Sequence, residues 1–173
     1  MMLNNITYRM YGLVPYNISE IQKGIQFGHA VVEYGQKYFN DTEYQDWANN
    51  HKTFIILNGG TSSTMVTNKD ILIENGVTKI AEFNEPDLND MLSGVVFLVD
   101  SRVYDLENYP NFYDYCVKIK GRHDLPSRDN LNMDDFFVTA KEMGSEDCKE
   151  WIEFMGGEKN IFLRKFLSNF KLA

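Results

Sequence analysis

The sequence predicts a layered α/β/α domain with a mixed sheet of about four strands, followed by a helical C-terminal extension. Three observations predict it. An amphipathic helical stretch, Ser19 to Phe39, lies between two β-forming runs. Two later runs, KTFIIL (52–57) and SGVVFLVD (93–100), are apolar almost throughout, as strands covered on both faces are. The order of the predicted elements is strand, helix, strand, helix, strand, strand, which suits helices packed against a mixed sheet.

Taken in order, Asn5 to Val14 (NITYRMYGLV) has β-formers in partial alternation, and Pro15 and Asn17 end it. The helix after it begins with a capping box, Ser19 paired with Gln22 three residues on. Ile21, Ile25, Gly28, Val32, Gly35 and Phe39 recur at four-and-three spacing and predict the buried face. Glycine inside a helix costs about 1 kcal/mol against alanine, so Gly24, Gly28 and Gly35 imply close approach of another backbone. NDTEYQDWANN is either a short helix around Glu43 to Ala48 or a loop.

The run from Lys52 to Leu57 is the second strand, closed by the turn Asn58-Gly59-Gly60. TSSTMVTNKDILIENGV offers several caps, the apolar set Met65, Ile71, Leu72 and Ile73, and a stop at Asn75-Gly76, so a second helix follows. Lys79 to Phe83 is a short alternating strand. The acidic turn NEPDLND joins it to the last strand, and this final pair can be antiparallel. The domain so defined covers residues 1–104.

Beyond Tyr104 aromatics mix with prolines and charges, and one strand, Tyr113 to Ile119, is expected in an irregular segment. From Glu146 the chain reads as helical again. Its last helix mixes Lys159, Arg164, Lys165 and Lys171 with apolar residues, a pattern expected to dock on its own domain. The extension, residues 105–173, is thus a helical appendage with room for a protein partner.

With 173 residues the chain has the length of one domain with a small extension, and 43% hydrophobic and 14% aromatic residues are globular values. The longest apolar run, Gly94 to Val99, is far short of the roughly 20 residues of a membrane helix. The N-terminal MMLNNITYRM lacks the basic and apolar regions of an export signal, so the expectation is a cytoplasmic protein without membrane contact. Cys116 and Cys148 are too few and too far apart for a disulfide framework or a metal knuckle, and no metal or cofactor is expected. GGTSST lacks the lysine of a P-loop. A net charge of −8 opposes non-specific attraction to polyphosphate, though not a local basic patch.

Two groups of residues carry candidate chemistry. Gln22, Gln26, His29 and Glu33 form a polar strip on the first helix, with Lys23 beside it. The strip is either a solvated face with one histidine bonded into the core, or one wall of a ligand site. Glu82, Glu85, Asp87 and Asp90 form the acidic group. A carboxylate beside an amide or a cation can position and activate water, which suffices for ester hydrolysis.

Residues from about Thr7 to Val99 resemble the type 2 peptidyl-tRNA hydrolase family. IQKGIQFGHA matches that family's Gly-Lys-x-x-x-Gln-x-x-His-Ala helix at Gln26, His29 and Ala30, and Trp47 stands for a tryptophan before the second strand. The resemblance implies a metal-independent enzyme that cleaves the ester between a peptide and tRNA. It implies a site built from a lysine and a glutamine of the first helix and an acid before the last strand. Gln22 occupies the lysine position, with Lys23 one step along, and one step turns a side chain by about 100° around the helix. Glu82 aligns with the family's aspartate, and Glu85 or Asp87 is a substitute. The candidate catalytic set is therefore Gln22, Lys23, Gln26, His29, Glu82 and Asp87, acting on tRNA or peptidyl-tRNA. The alternative is an inactive member of the fold that binds RNA or protein. A homodimer is compatible with either.

Overall fold

The computed structural model describes residues 6–173, so Asn5, the first residue of the expected first strand, lies outside the described residues. The chain divides into two compact units, Met1–Ser101 with Lys165–Ala173, and Arg102–Arg164.

The first unit has the expected α/β architecture with a mixed four-stranded sheet. Its four strands are β1 (Tyr8–Val14), β2 (Thr53–Asn58), β3 (Ile80–Glu85) and β4 (Met91–Asp100), in the sheet order β2-β1-β4-β3. β1 and β2 are parallel, and β4 is antiparallel to both β1 and β3. The helices are α1 (Glu20–Tyr38), α2 (Thr42–Asp46), which continues into a π-turn at Trp47–His51, and α3 (Ser62–Glu74). No helix among the described residues is long and apolar enough to cross a membrane.

Alternation along the strands assigns the two helices to opposite faces. Met10, Val14 and Val96 share a buried cluster with Phe27, Ala30 and Tyr34 of α1. Leu13 points the other way, and a Cβ added at Gly59 would meet both Leu13 and Met65 of α3. β2 is an edge strand rather than a strand covered on both faces, which leaves Phe54 51% exposed. Its outer edge is met by the chain's own C-terminal residues, with Asn58 N–H donating to Lys171 O at 2.9 Å and Ala173 N–H to Ile56 O at 3.0 Å.

The capping box of α1 forms as expected, Gln22 N–H donating to Ser19 Oγ and Ser19 N–H to Gln22 Oε1, each at 3.2 Å. The expected buried face does not. Ile21, Ile25, Val32 and Phe39 are 77%, 49%, 58% and 64% exposed, and α1 buries Lys23, Gln26, Phe27, Ala30 and Tyr34 instead. The two sets are offset by about two residues, or roughly 200° around the helix. Size decides between them, because Phe27 and Tyr34 each bury more apolar area than an isoleucine or a valine can.

The close approach expected at the helix glycines occurs on the strand side. A Cβ at Gly94 of β4 would stand 2.8 Å from the Gln26 carbonyl oxygen and 2.9 Å from Ala30 Cβ. Gly24 and Gly28 have nothing within 4 Å, while Gly35 makes room for the Tyr44 hydroxyl.

α2 is tied down by Asp41. Its side chain accepts from the N–H groups of Glu43 and Tyr44 and from Lys79 Nζ at 2.5 Å. Partial burial acts to raise the Asp41 carboxyl, but the Lys79 hydrogen bond and those two N–H groups outweigh it and hold the group below its ordinary value. A depressed folded value means that the stability is fully present above the unfolded carboxyl's range and is lost as pH falls through the folded value. Asp41→Asn keeps the cap but loses the ion pair. It should cost about 0.5–1 kcal/mol at pH 7 and converge on the wild type as pH falls from about 5 towards 2, in urea unfolding at stepped pH. A constant gap across that range would show that the charge contributes nothing.

The second unit has its own aromatic core. Its helices are α4 (Ser101–Tyr104), which begins one residue earlier in the first unit, α5 (Phe112–Lys118), α6 (Met133–Glu142) and α7 (Glu146–Phe154). The last helix, α8 (Glu158–Leu167), begins in this unit and ends in the first. The strand expected over Tyr113–Ile119 is α5. Phe112, Tyr115 and Cys116 fall on one helical face and are buried there, so tertiary packing overrides the aromatic β-propensity. Phe112 packs against Phe136, Phe137 and Trp151, whose indole N–H donates to Pro110 O at 3.0 Å. The basic α8 is not free at Arg164. Its guanidinium donates to the carbonyls of Val103 and Arg102 and to Asn111 Oδ1, and burial pushes it down to about 10. Both cysteines are free and buried, and burial raises the Cys116 thiol to about 11, which leaves it a poor nucleophile at neutral pH.

Candidate functional site

The site is built where α1 crosses the β3–β4 hairpin. β4 carries one extra residue opposite Phe83: Phe83 pairs with Gly94 and Asn84 with Leu92, so Ser93 is bulged. Gly94 faces α1, and in a regular strand its neighbour would face away. The bulge re-aims Ser93, so that it too points at α1. Ser93 is 1% exposed, and its hydroxyl donates to Gln26 Oε1 at 2.7 Å.

The other end of the Gln26 amide, Nε2, donates to Glu85 Oε2 at 2.6 Å. Gln26 is itself buried at 8% exposure, so this amide is held at both ends with little freedom to leave. Glu85, the last residue of β3, is half-buried and precedes a short 3-10 turn, Pro86–Leu88. Asn89 and Asp90 then take positive φ, 53° and 55°, a region these two residue types enter more readily than others do. The tight reversal brings β4 back beside β3 within a few residues.

The remaining candidates occupy distinct places around this pair. Lys23, one turn before Gln26, is buried at 9% and donates to Glu20 at 2.8 Å. His29 lies against Phe83, with ring centroids 4.5 Å apart and planes at 21°, so it is not bonded into the core. Gln22 is spent in the capping box. Glu82 is exposed on the other side of β3, where Lys69 of α3 pairs with it at 2.5 Å. Asp87 is exposed in the 3-10 turn. The carboxylate that reaches Gln26 is therefore Glu85 rather than Glu82 or Asp87, because successive strand residues alternate sides.

A groove of about 610 Å³ runs beside β3, lined by Glu33, Gln36 and Lys37 of α1, Lys69 of α3, and Thr78 and Glu82. Lys37 Nζ and the Tyr38 hydroxyl both donate to Ile80 O, at 3.0 and 3.2 Å, covering part of this second sheet edge.

No family model matches the chain, and no curated protein matches it. Function therefore rests on the chemistry of the residues just described. Ser93 is the participant that sequence reading missed. Its only signal was a hydroxyl at the head of an otherwise apolar strand, and the bulge that turns it inward leaves no mark in the sequence. Among the described residues, no group of three or more His, Cys, Asp or Glu side chains is placed to hold a metal ion.

Proposed function

We propose that the chain is an ester hydrolase of the type 2 peptidyl-tRNA hydrolase kind, with Glu85 as its catalytic carboxylate. The observation that carries this reading is the Gln26–Glu85 pair at 2.6 Å, braced from behind by a buried serine. Glu85 takes a proton from water as the oxygen adds to the ester carbonyl, and returns it to the ribose oxygen as the tetrahedral adduct collapses. One N–H of Gln26 holds Glu85, and the second N–H of the same amide meets the developing oxyanion. Lys23, on the same face of α1 one turn earlier, supplies positive charge for the phosphate next to the ester on an otherwise acidic protein.

The experiment is release of the acyl group from an N-blocked aminoacyl-tRNA by the full chain, followed as acid-soluble product. Turnover above the spontaneous rate is expected. Correctly folded protein with no turnover would overturn the reading.

The second reading is a binding module without turnover. It is favoured by the engagement of Gln22 in the cap and of Glu82 with Lys69. A tRNA mobility shift without ester cleavage in the same samples would establish it instead.

A further inference from the structure

The Ser93 hydroxyl has two acceptors in reach, Gln26 Oε1 at 2.7 Å and the Phe83 carbonyl at 3.2 Å. It carries one proton, so it donates to one of them at a time. At the far end of the amide, an ionised Glu85 can only accept, so it requires Nε2. That leaves Oε1 turned to Ser93 and draws the serine proton towards Gln26.

A protonated Glu85 reverses the requirement. Its O–H needs an acceptor, and half a turn of the Gln26 amide brings Oε1 to it. Nε2 then faces Ser93 Oγ, which accepts from it and swings its own proton to the Phe83 carbonyl. Glu85, both ends of the Gln26 amide and the Ser93 hydroxyl are hydrogen-bonded in both arrangements, whereas Oε1 facing an ionised Glu85 would set two acceptors against each other. The Phe83 carbonyl makes the second arrangement complete, and the bulge at Ser93 brings that carbonyl within reach.

We propose that Ser93 is a positioning residue that makes the Gln26 amide a two-position switch, its orientation set by whether Glu85 carries a proton. The use of this switch in turnover rests on the hydrolase reading: only with Glu85 ionised at the start of the reaction are the Gln26 N–H groups turned to the carboxylate and the oxyanion, so the flipped amide belongs to a protonated resting state that cannot activate water. The switch itself does not depend on that reading.

Other ionisable groups lie on the elements that carry this pair. Glu20, Lys23 and His29 lie on α1, Asp87 and Asp90 on the turn, and Glu82 is paired with Lys69 of α3. The measurement must therefore follow Glu85 itself. In the labelled full chain, the side-chain carboxyl carbon of Glu85 is titrated by NMR while the nuclear Overhauser contacts of the Gln26 NH2 protons are recorded. Contacts to the Glu85 side chain are expected at neutral pH, replaced by contacts to the Ser93 methylene with the midpoint of the Glu85 carbon. Unchanged contacts across that midpoint would overturn the proposal.

Glu85→Gln provides a second test at neutral pH, independent of acid stability. With no charge to enforce one orientation, the Gln26 NH2 protons should contact residues 85 and 93 both, and contacts to residue 85 alone would overturn it. Ser93→Thr should keep the exchange in the titration, and Ser93→Ala should abolish it. These readouts need no turnover, so they stand or fall separately from the hydrolase assay.

Discussion

Under the proposed ester hydrolysis, Glu85→Gln is expected to lower kcat for N-blocked aminoacyl-tRNA by roughly 10²–10⁴-fold with little change in KM. Glutamine has nearly the same shape, so the loss would be of proton transfer and not of packing. Its own amide can still meet Gln26, which is otherwise held 2.6 Å from the carboxylate. Gln26→Ala should fall in the same range and should also lose stability, because it leaves the buried Ser93 hydroxyl without its closest partner. Glu82→Gln and Asp87→Asn should stay within a few-fold of wild type, since Glu82 pairs with Lys69 on the other side of β3 and Asp87 is exposed. Single-turnover rates on the four variants decide it. If Glu82→Gln were the slow one and Glu85→Gln unaffected, the carboxylate would have been assigned to the wrong side of the strand.

Gly94→Ala should destabilise the first unit by about 1–3 kcal/mol, the usual cost of forcing a methyl group into a filled core. The new Cβ would stand 2.8 Å from a backbone carbonyl, that of Gln26, and backbone of a long helix cannot yield as a side-chain tip can. To relieve the clash α1 must move off β4, and Gln26 moves with it. On the proposed hydrolase reading, the variant should therefore lose activity beyond its loss of stability, at temperatures where it remains folded. Gly28→Ala, on the same helix with nothing within 4 Å of the added carbon, is expected to stabilise by about 0.5–1 kcal/mol through helix propensity alone. Urea unfolding of the pair tests the assignment. Equal and opposite signs reversed between the two positions would mean that α1 packs by its other face.

Much of the fold could be read from residue order. The α1 start is local chemistry, a serine and a glutamine three residues apart, and it forms as written. The β3–β4 hairpin and the two helices of the α/β unit follow from runs and breaks of a few residues each. The irregular reading of residues 105–145 failed because α5 and α6 are short and aromatic. Phe112, Phe136 and Phe137 become a core only when packed against Trp151 from a later helix.

The candidate site was half legible. Gln26 and an acid in or just after β3 were nameable, but which of Glu82, Glu85 and Asp87 meets the amide depends on strand parity and on where the strand ends. The buried face of α1 shows the same limit. Two apolar sets about 200° apart both satisfy helical spacing, and spacing carries no information about which one finds a partner.

Local order along the chain determined where the helices and strands of the α/β unit begin and end, because caps, turns and apolar runs act over a handful of residues. Only the tertiary structure decided which side of α1 is covered, which carboxylate stands at Gln26, and that Ser93 stands behind it. Those outcomes depend on the volume of Phe27 and Tyr34, on a glycine in a strand more than 60 residues from the two helix residues it meets, and on a one-residue bulge. Each depends on which segment packs against which, and no spacing within a single segment encodes that.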